Sequence, residues 1–391
     1  MAPPAGNGTT ISDGVAEDII TALSKIRDLF VIERNSAFTY RGKPFNAKQI
    51  GRELGVRYLL EGSIRRDGER LRITSRLVDA GSGRQIWGEH YDRDGAAIFA
   101  VQDEVTQKKW SRFHITKSEL DRTLRKRPEA LAAYDYYLRG NALIEEAYRS
   151  DRAKNIQAAR RMYEQSLIED PRYAPAVTGL ARTYHMAWIE PTSYEPMARE
   201  YQQQENPDRA LSLAQQAVAL DGELPEAHAI LAVVLHWQYR RSESMAEWRR
   251  ALELNPNLVE GRYAISLYHN GRAAEAVEYS KRIMRLDPSH SPRYFSYLGT
   301  AYYLAGRYSE ALKALRTVNS HLPDYRPGIF WHTAVAAQLG LDQEARGAAT
   351  QVLRLQPDFT ITKILRLIRF ARQKDADRLA DGLRKAGLPQ R

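Results

Sequence analysis

The sequence predicts an α+β N-terminal domain, mainly antiparallel sheet with two helices, followed by an all-α superhelical solenoid of helical hairpins. Three observations predict it. First, helix-stopping residues recur at an even period: Gly222, Pro256, Pro288, Pro323 and Pro357 stand 34, 32, 35 and 34 residues apart. Second, each stop is preceded at twelve and eight residues by a matched pair: Ala210 and Ala214, Ser244 and Trp248, Ala276 and Ser280, Ala311 and Leu315, Ala345 and Ala349. Ala159 and Tyr163 before Pro171 give an earlier copy. A period held that closely marks stacked supersecondary units, none of which can bury its apolar face alone. Third, residues 56–93 hold three β-rich runs separated by Asp67-Gly68 and Gly81-Ser82-Gly83, both turn chemistry.

Taken in order, residues 1–10 (MAPPAGNGTT) read as a disordered start. Ser12 or Asp13 caps a helix through EDIITALSKI, whose apolar residues Val15, Ile19, Ala22, Leu23 and Ile26 fall at helical spacing. LFVIER (29–34) reads as a short buried strand. A second helix begins after Asn46 and ends at Gly55, a residue that tolerates the left-handed conformation of a helix C-cap. The three β-runs follow, and residues 97–107 read as a helix. The domain therefore spans 11–107, a basic linker 108–127, about six hairpins 128–357, and a helical cap 358–391. The second hairpin carries an insertion, IEPTSYEPMAREYQQQENP, before its second helix at 208–220.

The hairpin pattern is clearest from Tyr297 to Pro323. Leu298-Gly299, Tyr302, Gly306, Ala311, Leu315 and Pro323 alternate large and small residues around a tight turn at Gly306. Gly299 and Ala311 let two helix axes approach while Leu298, Tyr302 and Leu315 fill the volume beside them, and Pro323 stops the second helix. This order resembles the tetratricopeptide (TPR) repeat. The N-terminal text resembles a TolB-like domain over residues 11–107. It reads SDGVAEDIITALSKIRDLFVIERNSAF, then GRELGVRYLLEGSIRRDGERLRITSRLVDAGSGRQIWGEHYDR, then IFAVQDEVTQ. The family places that domain before TPR repeats in bacterial adenylate/guanylate cyclase-type proteins and in some transcription regulators. Where the family opens on an apolar strand, this chain has MAPPAGNGTT, which predicts an exposed sheet edge or a destabilised domain. No stretch is left over for a cyclase catalytic domain or a winged-helix effector. The resemblance therefore implies the sensory or scaffolding half of such a system and an association with cyclic-nucleotide signalling.

Composition narrows the chemistry. Cysteine is absent, which excludes disulfides, thiol nucleophiles and thiolate metal sites. No run is long and apolar enough for a membrane span, and no secretory signal is visible. These place the chain as written in the cytoplasm, or in the periplasm if its natural start lies upstream. Net charge is +10. Residues 108–127 and 361–391 each carry an excess of about six positive charges, so the remainder is close to neutral. That placement suits a solvated linker and cap; an anionic or nucleic-acid partner is the rival reading, testable by salt.

No phosphate-cradling loop or H-E-x-x-H motif occurs, and Gly81-Ser82-Gly83 precedes a strand, as a hairpin turn does. The sequence thus assigns no catalytic residue, metal or cofactor. His228 and His236, two turns apart, read as scattered histidines. The tyrosines at 263, 268, 294, 297, 302 and 303 read mostly as repeat core. The TPR resemblance implies that positions two, five, nine and twelve of each first helix face a concave groove. Those positions supply Arg182, His185, His236, Tyr268, Arg293, Ser296, Thr300 and Tyr303 as candidate partner-binding residues. Their mix of apolar, aromatic and polar groups suits a protein or peptide ligand. It lacks the Lys/Asn clamp of TPRs that grip a C-terminal carboxylate. A groove covered by the chain's own C-terminal cap is the competing reading. The sequence names a non-enzymatic interaction scaffold or sensor.

Overall fold

The computed structural model describes residues 7–67, 70–94, 104–105, 128, 130–148, 150–189 and 205–391. The expected linker 108–127 and the insertion over 190–204 lie outside the described residues, as does the expected helix over 97–107 except Glu104 and Val105, which are helical. Two compact units divide the chain: residues 1–234 with 247–258, and residues 235–246 with 259–391.

In the first unit, α1 (Asn7–Ser24) starts inside the stretch read as a disordered beginning. Once a helix is nucleated, extending it upstream adds one hydrogen bond per residue fixed. Helix α2 (Arg34–Phe38) replaces the end of the strand expected at 29–34, and residues 29–33 form no strand at all. Among the described residues, no strand pairs with them. The Leu29 carbonyl instead accepts from the side chain of Asn257 at 2.8 Å. Helix α3 (Ala47–Leu54) has the expected ends: Asn46 Oδ1 accepts from the Gln49 amide at 3.2 Å, and Gly55 sits at φ 67°.

Strands β1 (Tyr58–Asp67), β2 (Arg70–Asp79) and β3 (Gln85–Asp94) form an antiparallel meander in the order β1-β2-β3. The register pairs Asp67 with Arg70, as a two-residue turn requires. Period-two alternation places Ile64, Ile73 and Tyr91 in one cross-strand row and Leu60, Leu77 and Trp87 in the next. Those rows meet Val15, Ile19 and Leu23 of α1. The opposite face carries ion pairs, Arg76–Glu61 at 2.5 Å and Arg72–Asp92 at 2.8 Å. β1 and β3 are the sheet's edges.

Helical hairpins follow: α4 (Leu131–Glu146) with α5 (Arg152–Glu169), α6 (Ala174–Ile189) with α7 (Glu205–Leu220), and α8 (Pro225–Trp237) with α9 (Arg241–Leu254). The second unit continues the pattern. Here α10 (Arg262–His269) pairs with α11 (Ala273–Leu286), α12 (Arg293–Leu304) with α13 (Tyr308–His321), and α14 (Arg326–Gln338) with α15 (Asp342–Leu355). Then come α16 (Ile361–Ile368) and α17 (Gln373–Lys385). The small and bulky residues that set the period are all buried, none more than 5% exposed. A Cβ on Gly299 would stand 2.6 Å from Leu315 Cγ, so glycine is what lets these two helices touch. Hairpin turns close with a glycine in the left-handed region at Gly271, Gly306 and Gly340. The following amide reaches back to the helix carbonyl, as Arg307 N does to Tyr302 O at 2.9 Å.

Helix α1 is clamped in the first unit from its other side. A Cβ on Gly14 would overlap the side chains of Leu138 and Tyr134, and the Tyr134 hydroxyl donates to Asp18. At the far end, Asn255 Nδ2 donates to Ser24 Oγ at 2.9 Å, and Asn257 Nδ2 donates to the carbonyls of Ser24 (3.0 Å) and Leu29 (2.8 Å). Asn257 is buried, so its loss strands acceptors away from water. Asn257→Leu is expected to cost about 1–3 kcal/mol and to raise amide exchange in α1 and residues 25–33 selectively. Unchanged exchange there would show that α1 is held by apolar contacts alone.

Candidate functional site

In the first unit, α6 carries Arg182, half-buried, and His185, 1% exposed with its ring edge-on to Trp188. The other six candidate residues lie in the second unit. His236 and His269 stack at 5.3 Å, with His236 Nε2 3.1 Å from His269 Nδ1. Burial holds both imidazoles neutral; it lowers His236 to about 4, with the nearby Arg241 cation adding to the effect. Tyr268 is buried, and that burial pushes its phenol up. Ser296 and Thr300 are 3% and 1% exposed. Arg293 remains half-buried at the rim, its guanidinium 5.4 Å from the Tyr325 ring centre.

Tyr303 shows why this face is closed. It is fully buried, and its hydroxyl donates to the backbone carbonyl of Arg378 in α17 at 2.8 Å. Gln338 Nε2 donates to the same carbonyl at 3.3 Å and to Asp381 Oδ2 at 3.0 Å, while Arg378 Nη1 donates to the Leu304 carbonyl at 2.6 Å. Gly382 is the point of closest approach: a Cβ there would stand 2.8 Å from both the Ala334 carbonyl oxygen and the Tyr303 hydroxyl. Leu379 and Leu383, one turn apart on the same helix face, are completely buried.

The segment leading into α17 crosses the hairpin ends. Tyr239 Oη donates to the Leu367 carbonyl at 3.1 Å, and the Ala371 amide donates to the His269 carbonyl at 2.9 Å. Arg369 lies 4.1 Å from the Tyr239 ring centre, and Phe370 meets the His269 ring edge-on at 5.4 Å. Tyr239 sits at φ 61° in the α8–α9 turn, where the later hairpins use glycine. The backbone accepts this strained conformation at the residue whose ring and hydroxyl hold the strap.

The cap's positive charge is partly spent within the fold. Arg372 pairs with the buried Asp375 at 2.7 Å, Lys385 with Asp381 at 2.7 Å, and Lys363 with Asp358 at 3.0 Å. His228 of α8 bridges Glu247 (2.6 Å) and the Gly222 carbonyl (3.0 Å). Among the described residues, no group of three or more His, Cys, Asp or Glu is placed to hold a metal ion, and no helix is long and apolar enough to cross a membrane. The sequence did not reveal what the groove positions contact. Gly382 between two leucines signals close approach, but not to which helix.

No protein-family model matches the chain. A curated protein of Rhizobium meliloti (strain 1021), named "Putative adenylate cyclase 3", is 38% identical over 239 residues, 60% of this chain. The match spans 38% of that relative's length. Among solved structures, YrrB, described as a TPR protein with an unusual peptide-binding site, aligns with 54% of this chain and 97% of its own, at 16% identity and TM-score 0.34. The type IV pilus biogenesis factor PilW aligns with 58% of this chain and 98% of its own, at 21% identity and TM-score 0.41. A monomeric IFIT1 mutant aligns with 75% of this chain and 65% of its own, at 16% identity and TM-score 0.46.

Proposed function

We propose that the chain is a non-enzymatic interaction scaffold or sensor module that recognises helical segments of proteins through the first-helix face of its TPR-like hairpins. One observation carries the reading. In the second unit this face already grips a helix of the chain itself, as Tyr303 of α12 donates to the Arg378 carbonyl of α17; in the first unit a side chain does the like from the turn after α9, where Asn257 donates to the Ser24 carbonyl at the end of α1. Donors aimed at backbone, set among buried aromatic and aliphatic side chains, are what helix-in-groove recognition needs. The half-buried Arg293, beside Tyr325, offers the anchor at the rim. This reading assigns Arg182 and His185 to that face in the first unit, and His236, Tyr268, Ser296, Thr300 and Tyr303 to it in the second.

Arg293→Ala is expected to weaken capture of a native partner by about tenfold or more, as loss of an interface anchor does, with helicity unchanged by circular dichroism. Capture with wild-type strength would remove this face from the proposal.

A second reading concerns the wider system and rests on the 38%-identical relative. Helices α1–α3 and the sheet form a TolB-like module, and the chain is the regulatory part or partner of a class III adenylate cyclase-type protein. The purified chain is then expected to form no cyclic nucleotide from ATP or GTP. Turnover that persists through purification would overturn the non-enzymatic assignment.

A further inference from the structure

The helix that closes the second unit is built as a ligand as much as a cap. Its hold on the hairpins has three parts, each of which a foreign helix could supply. The Arg378 carbonyl takes two hydrogen bonds, from Tyr303 and Gln338, and any helix exposes such a carbonyl only where its own ladder allows a second acceptor contact. Gly382 lets the helix backbone sit against Ala334 with no side chain between. Leu379 and Leu383 flank that point, both fully buried. One acidic residue, Asp381, faces Gln338 and Lys385. Helices α16 and α17 are separated by a non-helical stretch in which Arg369 takes a left-handed conformation at φ 46°. The helix is therefore attached through a bend and does not continue from its predecessor.

We propose that α17 is a displaceable self-ligand, and that the face formed by Tyr303, Trp331, Ala334 and Gln338 receives a partner helix presenting the same pattern: leucine, then glycine three positions on, then leucine, with an acidic residue before the glycine. This rests on the helix-recognition reading given above and names the partner's chemistry and the gate. The self-ligand sets the threshold. It is tethered, so it competes at an effective concentration of about millimolar. A partner must exceed that to enter, and a protein whose helix lacks the small residue is excluded by contact with the Ala334 carbonyl.

The test uses the full chain and a fluorescent peptide of residues 373–391. In wild type, the tethered helix keeps the labelled peptide out. Gly382→Leu in the full chain forces its own α17 off the face, so it is expected to bind the peptide at least tenfold more tightly than wild type. Leu383→Ala, a milder lesion confined to α17, is expected to give an intermediate gain. A peptide carrying Gly382→Leu is expected to bind none of the three. Variants that melt cooperatively yet gain no affinity for the peptide would overturn the proposal and make α17 a fixed cap. The outcomes separate from those of the scaffold reading. Peptide binding gained while Arg293→Ala leaves native capture unchanged would sink the rim assignment alone; loss of capture without any peptide binding would sink the self-ligand alone.

Discussion

Replacing Tyr163 by alanine is expected to destabilise the first unit by about 3–5 kcal/mol, the range for truncating a large buried ring. The ring is 1% exposed and lies between two first helices. A Cβ on Gly140 or on Gly179 would each stand 2.5 Å from it, so both helices are cut back to admit the same ring. Its hydroxyl donates to Asn141 Oδ1 at 2.8 Å. Alanine would leave a void bounded by two glycines, and neither backbone can collapse into it without unstacking a hairpin. Tyr163→Phe keeps the ring and loses only the hydrogen bond, an expected cost of about 1 kcal/mol. Denaturant midpoints of the two variants decide the matter. Near-equal losses would mean that the hydroxyl, rather than the ring, holds the hairpins together.

The second unit is expected to lose stability on mild acidification. His236 and His269 share one close nitrogen–nitrogen contact at 3.1 Å, which a neutral pair satisfies by one N–H donating to the other ring's lone pair. Adding a proton places a cation in a buried site already bordered by Arg241 and near Arg369, with Trp237, Tyr268 and Phe370 supplying ring contacts. His236 is held at about 4 and His269 well below its ordinary value, both chiefly by burial. In the unfolded chain they titrate near the ordinary histidine value of about 6.5. Between those values the unfolded state binds more protons than the native state, so stability falls as pH falls. The loss begins near pH 6.5, and the part due to His236 levels off below about 4, amounting to about 3 kcal/mol. Glu344, held at about 2 by its bond to Arg316, contributes only at lower pH, below about 4.5. The double variant His236→Asn, His269→Asn is expected to flatten the profile between pH 7 and 4.5. Hydrogen exchange in α10 and α17 reads this directly; an equal acid response in wild type and double variant would assign it elsewhere.

What could be read from the sequence was what depends on near neighbours in the chain. The spacing of Ala311 and Leu315 before Pro323, the turn at Gly306 and the cap at Asn46 are short-range patterns, and the structure has all of them. The β-rich run at 29–34 misled because strand formation needs a partner, and its Leu29 carbonyl found Asn257 instead. The exposure of the first-helix positions was not predictable. His236, Tyr268 and Tyr303 are buried, and within the second unit His236 meets His269 and Tyr303 meets Arg378, partners distant in sequence that no local pattern encodes. The lone tyrosine in a left-handed turn, Tyr239, carried a signal of its own: a bulky residue where the repeat uses glycine marks a turn with a second duty.

The bond from Tyr303 to Arg378 also fixes an order of events during synthesis. The two residues are 75 positions apart, so α17 leaves the ribosome well after the helix that carries Tyr303. At about 5–20 residues per second, Tyr303 waits roughly 4–15 s for the helix that covers it. Throughout that interval the nascent chain displays Tyr303 uncovered, joined by Trp331 once it is made. A partner translated nearby, or a chaperone, would meet this face of the second unit open in every newborn copy, before α17 has arrived.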